Sequence, residues 1–137
     1  MTLFVDTNVL LYAASADVQE RDKTIRARQI LTGEDVALSA QVLQEFYWVA
    51  TRPHKLALSH LEAQAYIDVW KLFPVQPITV GVIEEALYLC QRYQLSYWDA
   101  AIIAAARHLG CEQVLTEDLN HGQYYEEVRV IDPFVGA

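Results

Sequence analysis

Residues 100–106 read AAIIAAA, a stretch that is apolar around its whole circumference when it is wound as a helix. A helix without a polar face is normally buried on most of its sides. The small alanine side chains allow such a helix to approach a neighbouring sheet closely. Ser96–Asp99 open the helix, which runs through Leu109, and Gly110 ends it. The stretch therefore predicts a central helix packed across the middle of the domain.

Short apolar segments that are typical of buried strands flank this helix, at residues 2–5, 36–38, 113–116 and 128–131, with a weaker one at 77–80. Helical patterns lie between them, at residues 8–14, 17–31, 39–51, 59–72 and 82–93. Strands and helices that alternate through short connections predict an α/β fold with helices on both faces of the sheet. We expect a three-layer α/β/α sandwich with a mostly parallel sheet of about five strands.

Length and composition limit the class of protein. The 137 residues fit one domain, residues 1–137, and the 53% hydrophobic and 20% charged contents are those of a globular chain. No apolar run approaches the roughly 18 residues that a membrane span needs, and Asp6 interrupts the apolar start of the chain. We therefore expect no membrane association and a cytoplasmic location. Cys90 and Cys111 belong to no C-x-x-C pair, so we expect two reduced thiols.

A net charge of −8 opposes the long-range attraction of nucleic acid. Binding of a polyanion would then depend on local basic groups. The chain concentrates them at residues 52–55, which read RPHK, and at Arg21, Lys23, Arg26 and Arg28. Each group taken alone is also consistent with an ordinary solvated surface.

Four acidic residues fall where an open α/β sheet gathers its functional groups. Asp6 ends the first predicted strand, Asp118 follows the strand at 113–116, Asp99 lies in the first turn of the central helix, and Glu45 lies one turn into the helix after the second strand. Ligands of open α/β folds bind at the carboxyl ends of the strands, near the topological switch point. We therefore expect the four carboxylates to share one edge of the sheet.

Each carboxylate also has a purely local interpretation. Asp6 can cap the helix that follows it, and Asp99 can complete a capping box with Ser96. Glu45 can pair with a neighbour at the surface, and Asp118 can form a turn. The functional interpretation depends on the four occurring together.

Four clustered carboxylates require a counter-charge. Two carboxylates about 4 Å apart repel by roughly 4 kcal/mol at an effective dielectric constant near 20, and four groups form six such pairs. The sum rivals the about 5–15 kcal/mol of stability of a whole domain. An all-oxygen ligand set with few histidines suits Mg²⁺, or Mn²⁺ in its place, better than Zn²⁺.

The ordered set of segments resembles the PIN-domain family, and within it the VapC-type toxins of toxin–antitoxin pairs. The matching segments span nearly the whole chain: VDTN at 5–8, QEFY at 44–47, SYWDA at 96–100 and LTED at 115–118. The resemblance implies a PIN-like fold and a Mg²⁺-dependent endoribonuclease, the toxin of a type II system. It implies an acidic metal site and catalytic centre of Asp6, Glu45, Asp99 and Asp118, supported by Asn8, Ser96 and Thr116.

The resemblance further implies an RNA substrate, a homodimer and a cognate antitoxin that wraps a groove near the site. We expect Arg52 and Lys55 to contact the RNA, and Glu45 or Asp99 to take a proton from the attacking water. One departure stands out: some relatives carry another aspartate at the position of Asn120. Asn120 cannot contribute charge to a second metal position.

Two other functions remain open at this point. A haloacid-dehalogenase-like phosphatase also places an aspartate after its first strand, and Ser39 would suit its phosphate contact. That class needs a second aspartate two residues later, where this chain has Asn8. The other alternative is a PIN-like fold that binds a partner without catalysis, with structural carboxylates.

Overall fold

The computed structural model describes residues 1–136. The strands are β1 Leu3–Val5, β2 Val36–Ser39, β3 Val75–Gln76, β4 Gln113–Leu115, β5 Tyr124–Tyr125 and β6 Val128–Ile131. The helices are α1 Thr7–Ala14, α2 Arg21–Gly33, α3 Ala40–Ala50, α4 His60–Trp70, α5 Val80–Tyr93 and α6 Tyr97–His108. A single 3₁₀ turn, Val18–Glu20, precedes α2.

All strands join one sheet in the order β3-β2-β1-β4-β6-β5, and only β5 runs antiparallel to its neighbour. In the middle of the sheet Phe4 pairs with Ala37 on one side and with Val114 on the other. The chain builds outward from β1 to β2 and β3, then crosses to the other side of β1 to form β4. The topological switch point therefore lies between β1 and β4, and this confirms the predicted α/β class with a mostly parallel sheet.

Helix α6 is the predicted central helix. Every residue from Ala100 to Ala106 is buried, as expected for a helix that lacks a polar face. Ser96 caps its start, and Gly110 follows its end with a φ of +74°, a conformation that glycine adopts without a Cβ penalty. Helix α5 packs beside α6, and Glu85 on α5 pairs with Arg107 and His108 near the end of α6.

The edges of the sheet differ from the prediction. The weak strand expected at residues 77–80 was misplaced, because pairing with β2 occurs at Val75–Gln76 and Thr79 caps α5, which begins at Val80. The pair Tyr124–Tyr125 adds a sixth strand, joined to β6 through a tight turn in which Glu126 has a φ of +53°. A two-residue strand is too short to produce a period-2 pattern in the sequence.

The start of α2 also differs from the prediction, whereas the start of α4 agrees with it. Asp17 caps the 3₁₀ turn, so α2 begins at Arg21, four residues after the predicted start, and Gly33 is its last residue. At α4 the predicted capping box is formed, with Ser59 and Glu62 bonded reciprocally.

Among the described residues no helix is long and apolar enough to cross a membrane. Both cysteines, Cys90 and Cys111, are free thiols, as predicted. The thiol of Cys90 donates a hydrogen bond to the carbonyl oxygen of Leu95 at 3.2 Å. Cys90 therefore takes part in the local structure at the end of α5.

Candidate active site

Asp6 occupies the junction between β1 and α1 and is only 5% exposed. Its Oδ1 accepts from the backbone N–H of Thr7 at 2.7 Å, and its Oδ2 accepts from the hydroxyl of Thr116 at 2.9 Å. The pKa of Asp6 is raised from 3.8 to about 7, chiefly because the group is buried; the two hydrogen bonds lower this pKa, and the charges of Asp118 and Glu45 add to the increase. The carboxylate that ends β1 is therefore costly to ionise.

A network of hydrogen bonds joins the start of α1 to the segment that follows β4. Asn8 Nδ2 donates to Thr116 Oγ1 at 2.9 Å and to Asp118 Oδ2 at 3.1 Å. The backbone N–H of Asp118 also donates to Thr116 Oγ1, at 3.1 Å, and that of Glu117 donates to Asn8 Oδ1 at 3.4 Å. Asn8 and Thr116 therefore orient two carboxylates at once, those of Asp6 and Asp118.

Asp118 lies at the open side of this network. Partial desolvation raises the pKa of its carboxyl, the charges of Glu117, Asp99 and Glu45 raise it further, and the hydrogen bond from Asn8 opposes them. The carboxyl of Asp118 therefore belongs to one electrostatic environment with carboxylates carried by α3 and α6.

Glu45 reaches the site from α3, which Ser39 caps by accepting from the N–H of Val42. Its Oε2 accepts from Thr7 Oγ1 at 2.9 Å, and its Oε1 accepts from Gln41 Nε2 at 2.8 Å. Both carboxylate oxygens are thus held, one from the start of α1 and one from the preceding turn of the same helix. This arrangement fixes the direction of the carboxylate on the first turns of α3.

Asp99 is carried by the first turn of α6. Its backbone N–H donates to Ser96 Oγ at 3.1 Å, so Ser96 acts on the site by capping the helix that holds Asp99. Within residues 1–136 the carboxylate of Asp99 accepts no hydrogen bond, while its charge raises the pKa of Asp118 and of Tyr125. The local capping role therefore leaves the carboxyl group of Asp99 free for another partner.

The predicted carboxylates thus come together around the carboxyl ends of β1 and β4. The charges of Asp118 and Glu45 raise the pKa of Asp6, and the charges of Asp99 and Glu45 raise the pKa of Asp118. In the part of the chain that the structure describes, no three carboxylates, imidazoles or thiols already stand at the spacing of a metal-ligand group. The site therefore gathers acidic oxygens in one region without a preassembled ligand set.

The two basic residues expected to contact RNA have different surroundings. Lys55 lines a cleft of about 200 Å³ together with Asn8, Tyr12 and Glu117, so it lies beside the acidic site. The guanidinium of Arg52 instead stacks 3.9 Å from the ring centre of Trp48 and donates to the Trp48 carbonyl oxygen at 2.9 Å. An RNA contact by either residue stays a prediction.

The structure gives roles at the site to residues for which the sequence indicated none. Thr7 and Gln41 hold Glu45. Gln41 precedes Glu45 by four residues on one helix, a spacing that indicates a side-chain pair and that could have identified it. The hydroxyl of Tyr12 donates to Glu117 Oε1 at 2.5 Å and Lys23 Nζ donates to Glu117 Oε2 at 3.0 Å. Nothing in the sequence connects these last three residues.

The sequence matches the model of the PIN domain family over residues 3–127. It is 28% identical to Ribonuclease VapC24 of Mycobacterium tuberculosis in an alignment of 143 residues. The alignment covers 96% of each chain. Solved structures with the same fold include the following two. VapC20 of M. tuberculosis, described as a toxin that cleaves the sarcin–ricin loop, gives a TM-score of 0.69 at 22% identity over 93% of this chain and 98% of its own. A toxin–antitoxin complex from Klebsiella pneumoniae gives 0.72 at 24% identity over 98% of each chain.

Proposed function

The chain belongs to the PIN domain family, and from this premise we propose that it is a metal-dependent endoribonuclease, the toxin of a toxin–antitoxin pair. The ribonuclease named among its relatives supports the activity, and the similar toxin structures support the biological role. The proposal covers RNA as the substrate class and hydrolysis of a phosphodiester bond as the reaction.

One observation carries the proposal: a buried carboxylate, Asp6, lies at the switch point of the sheet with its pKa raised to about 7. Such a group is unfavourable as an anion unless a cation compensates it. Asp118 and Glu45 add further negative charge beside it. A divalent cation would favour the ionised form of all three groups, because it supplies the opposite charge that the described residues near Asp6 do not supply.

We propose Mg²⁺ as the metal, with Mn²⁺ able to replace it. The donor set fits, since Asp6, Glu45, Asp99 and Asp118 offer carboxylate oxygens, the ligands that hard divalent cations prefer. When bound there, the ion would lower the pKa of a coordinated water and offset negative charge on the phosphate oxygens. Asn8 and Thr116 would support the ligands by orienting Asp6 and Asp118.

Asp99 is the residue that we propose as the acceptor of the proton from the attacking water. Both oxygens of Glu45 already accept hydrogen bonds, from Thr7 and Gln41. The carboxylate of Asp99 accepts none among residues 1–136, so it keeps the capacity to bind and deprotonate a water molecule. The α6 cap provided by Ser96 would hold this carboxylate in position.

Partners follow from the same proposal. We propose a homodimer of this single-domain chain that is silenced by a cognate antitoxin protein and acts on RNA in the cytoplasm. Lys55 is well placed to contact the RNA backbone, because it lines the cleft beside Asn8 and Glu117. A positive group at that point would offset part of the repulsion from a chain of net charge −8.

The test is cleavage of RNA by the purified protein. We expect cleavage that requires Mg²⁺ or Mn²⁺, stops in a chelator and is lost in Asp6→Asn, whose circular dichroism spectrum stays native. Asp22→Asn, an exposed substitution on α2, controls for the loss of one carboxylate and should cleave normally. Unchanged cleavage by Asp6→Asn would refute the proposal.

The same preparation separates the alternatives. p-Nitrophenyl phosphate should stay intact, because Asn8 stands where a phosphatase needs a second acid and its amide is bonded to Thr116 and Asp118. RNA binding without cleavage under any divalent ion would instead favour a non-catalytic binding module.

A further inference from the structure

Trp98 is 66% exposed although it is the largest side-chain type and lies directly before Asp99. It stands on the first turn of α6, whose residues 100–106 are all buried. Its neighbour Tyr97 packs against it edge-on, with ring centres 5.1 Å apart. One aromatic side chain is therefore presented to solvent on the same helical turn that carries Asp99 of the candidate active site.

Trp98 and Tyr97 line a small recess of about 70 Å³ between the start of α3, the segment after β3 and the first turn of α5. The lining residues of this recess include no charged side chain. They combine the two aromatic rings with apolar groups and with the amides of Gln41, Gln44 and Gln76. Such a lining does not suit a phosphate, but it suits a neutral, planar ligand with hydrogen-bonding edges, since each amide offers both a donor and an acceptor.

The recess is joined to the carboxylate site by one side chain. Gln41 Nε2 donates to Glu45 Oε1 at 2.8 Å and also to the carbonyl oxygen of Trp98 at 3.3 Å. The backbone of Trp98 and the carboxylate of Glu45 therefore share one hydrogen-bonding partner, which also lines the recess.

We infer that Trp98 and this recess form a subsite for one unpaired base of the RNA, next to the phosphodiester that is cleaved. The inference rests on the proposed nuclease function and specifies how the substrate is held. Aromatic side chains bind unpaired bases by stacking, which every base can satisfy. Stacking does not require opposite charges on the protein and the RNA, so it suits a chain whose net charge is −8. The recess is too small for a whole nucleotide, so the base would stack on the exposed ring and direct one edge to the amides.

Abasic nucleotides test this inference directly. Cleavage and binding are measured for a set of single-stranded oligoribonucleotides in which one base at a time is removed, with binding followed by fluorescence anisotropy on an Asp6→Asn background. We expect Trp98→Ala to weaken binding of the intact RNA by about 5- to 150-fold, the loss of one base–aromatic stack. Trp98→Phe should retain most of the affinity.

The decisive outcome is the combination of the two changes. At one position adjacent to the cleaved bond, removal of the base should weaken RNA binding by the parent protein by a similar factor. The same removal should leave RNA binding by Trp98→Ala almost unchanged. Tyr88→Ala, which removes an aromatic side chain that is 52% exposed on α5, is the matched control and should bind like the parent.

Each remaining outcome decides the question. If Trp98→Ala binds and cleaves RNA normally, or if no abasic position removes its defect, the subsite is refuted while the nuclease function stands. If the protein binds RNA through Trp98 but never cleaves it, the proposed nuclease function fails, and the subsite is overturned as part of a cleavage site while base binding by Trp98 stands. If Trp98→Ala changes only the oligomeric state in sedimentation, the exposed ring serves self-association and the inference is overturned.

Discussion

The hydroxyl of Thr116 donates a hydrogen bond of 2.9 Å to Asp6 Oδ2 and so connects the carboxyl ends of β4 and β1. The same oxygen accepts from Asn8 Nδ2 and from the backbone N–H of Asp118. A hydroxyl can donate one hydrogen bond and accept two, so the capacity of Thr116 is fully used. Thr116 has no exposed surface, which means that no solvent can replace a lost partner.

Thr116→Val should therefore damage both stability and the site. The isosteric methyl leaves Asn8 Nδ2 and the N–H of Asp118 without this acceptor, and a buried group without a partner costs about 1–3 kcal/mol. We expect a loss of this size in urea unfolding, together with slower RNA cleavage. Thr116→Ser restores the hydroxyl and should recover most of both. Equal behaviour of the two variants would show that the hydroxyl does not organise the site.

The raised pKa of Asp6 predicts an unusual dependence of stability on pH in chelator. Between pH 4 and 7 the unfolded chain has released the Asp6 proton while the folded chain still binds it, so stability falls as pH rises and then levels off. An increase in pKa from 3.8 to about 7 corresponds to about 4 kcal/mol. Asp6→Asn removes this cost but loses one hydrogen-bond acceptor, so we expect it to be more stable by about 1–3 kcal/mol at pH 8.

Denaturant unfolding at several pH values measures this effect. The advantage of Asp6→Asn should grow from pH 4 to pH 7, and Asp22→Asn should run parallel to the wild type. Added Mg²⁺ should stabilise the wild type more than Asp6→Asn, since the variant has lost one of the four proposed carboxylate ligands. A stability difference that is independent of pH would contradict the raised pKa.

Gln41 offers a matched comparison of two helical side-chain pairs. On α3, Gln41 Nε2 holds Glu45 at 2.8 Å, and on the exposed face of α4 Gln64 Nε2 holds Asp68 at 3.0 Å. Gln41→Ala should reduce cleavage about 10- to 100-fold, as expected when a group that orients a metal ligand is lost, while its unfolding midpoint changes little. Gln64→Ala should leave cleavage intact. An equal response of cleavage to both substitutions would refute a positioning role for Gln41.

The parts of the fold that sequence could predict are those dictated by local patterns. The apolar run at residues 100–106 located α6, and Ser59 with Glu62 located the start of α4. Asp6 and Asp118 could be assigned to one edge because parallel strands end at the same edge of a sheet. What escaped prediction depends on contacts between distant residues, such as Lys23 with Glu117, or on elements too short for periodicity, such as β5. Arg52 shows a third limit, since its stacking on Trp48 is a side-chain choice that spacing does not determine.

Lys23, Tyr12 and Glu117 form the last testable unit, because Glu117 is the immediate neighbour of Asp118. Lys23 Nζ lies 3.0 Å from Glu117 Oε2, in a pair whose side chains are 35% and 25% exposed. The charge of Glu117 raises the pKa of Asp118. Desolvation is the main cause of this raised pKa, and the charge of Glu117 adds to it. Lys23 offsets that charge, so the pair should adjust the pH at which Asp118 becomes ionised.

Substitution of either partner should shift the pH–rate profile of RNA cleavage in opposite directions. Lys23→Met leaves Glu117 uncompensated, which raises the pKa of Asp118 and moves the acidic limb to higher pH. Glu117→Gln removes the charge and moves that limb to lower pH, and the double variant should follow Glu117→Gln. Lys71→Met breaks an exposed pair with Asp68 on α4 and should move neither limb. If both single variants shift the limb in the same direction, the pair acts through packing and not through the charge beside Asp118.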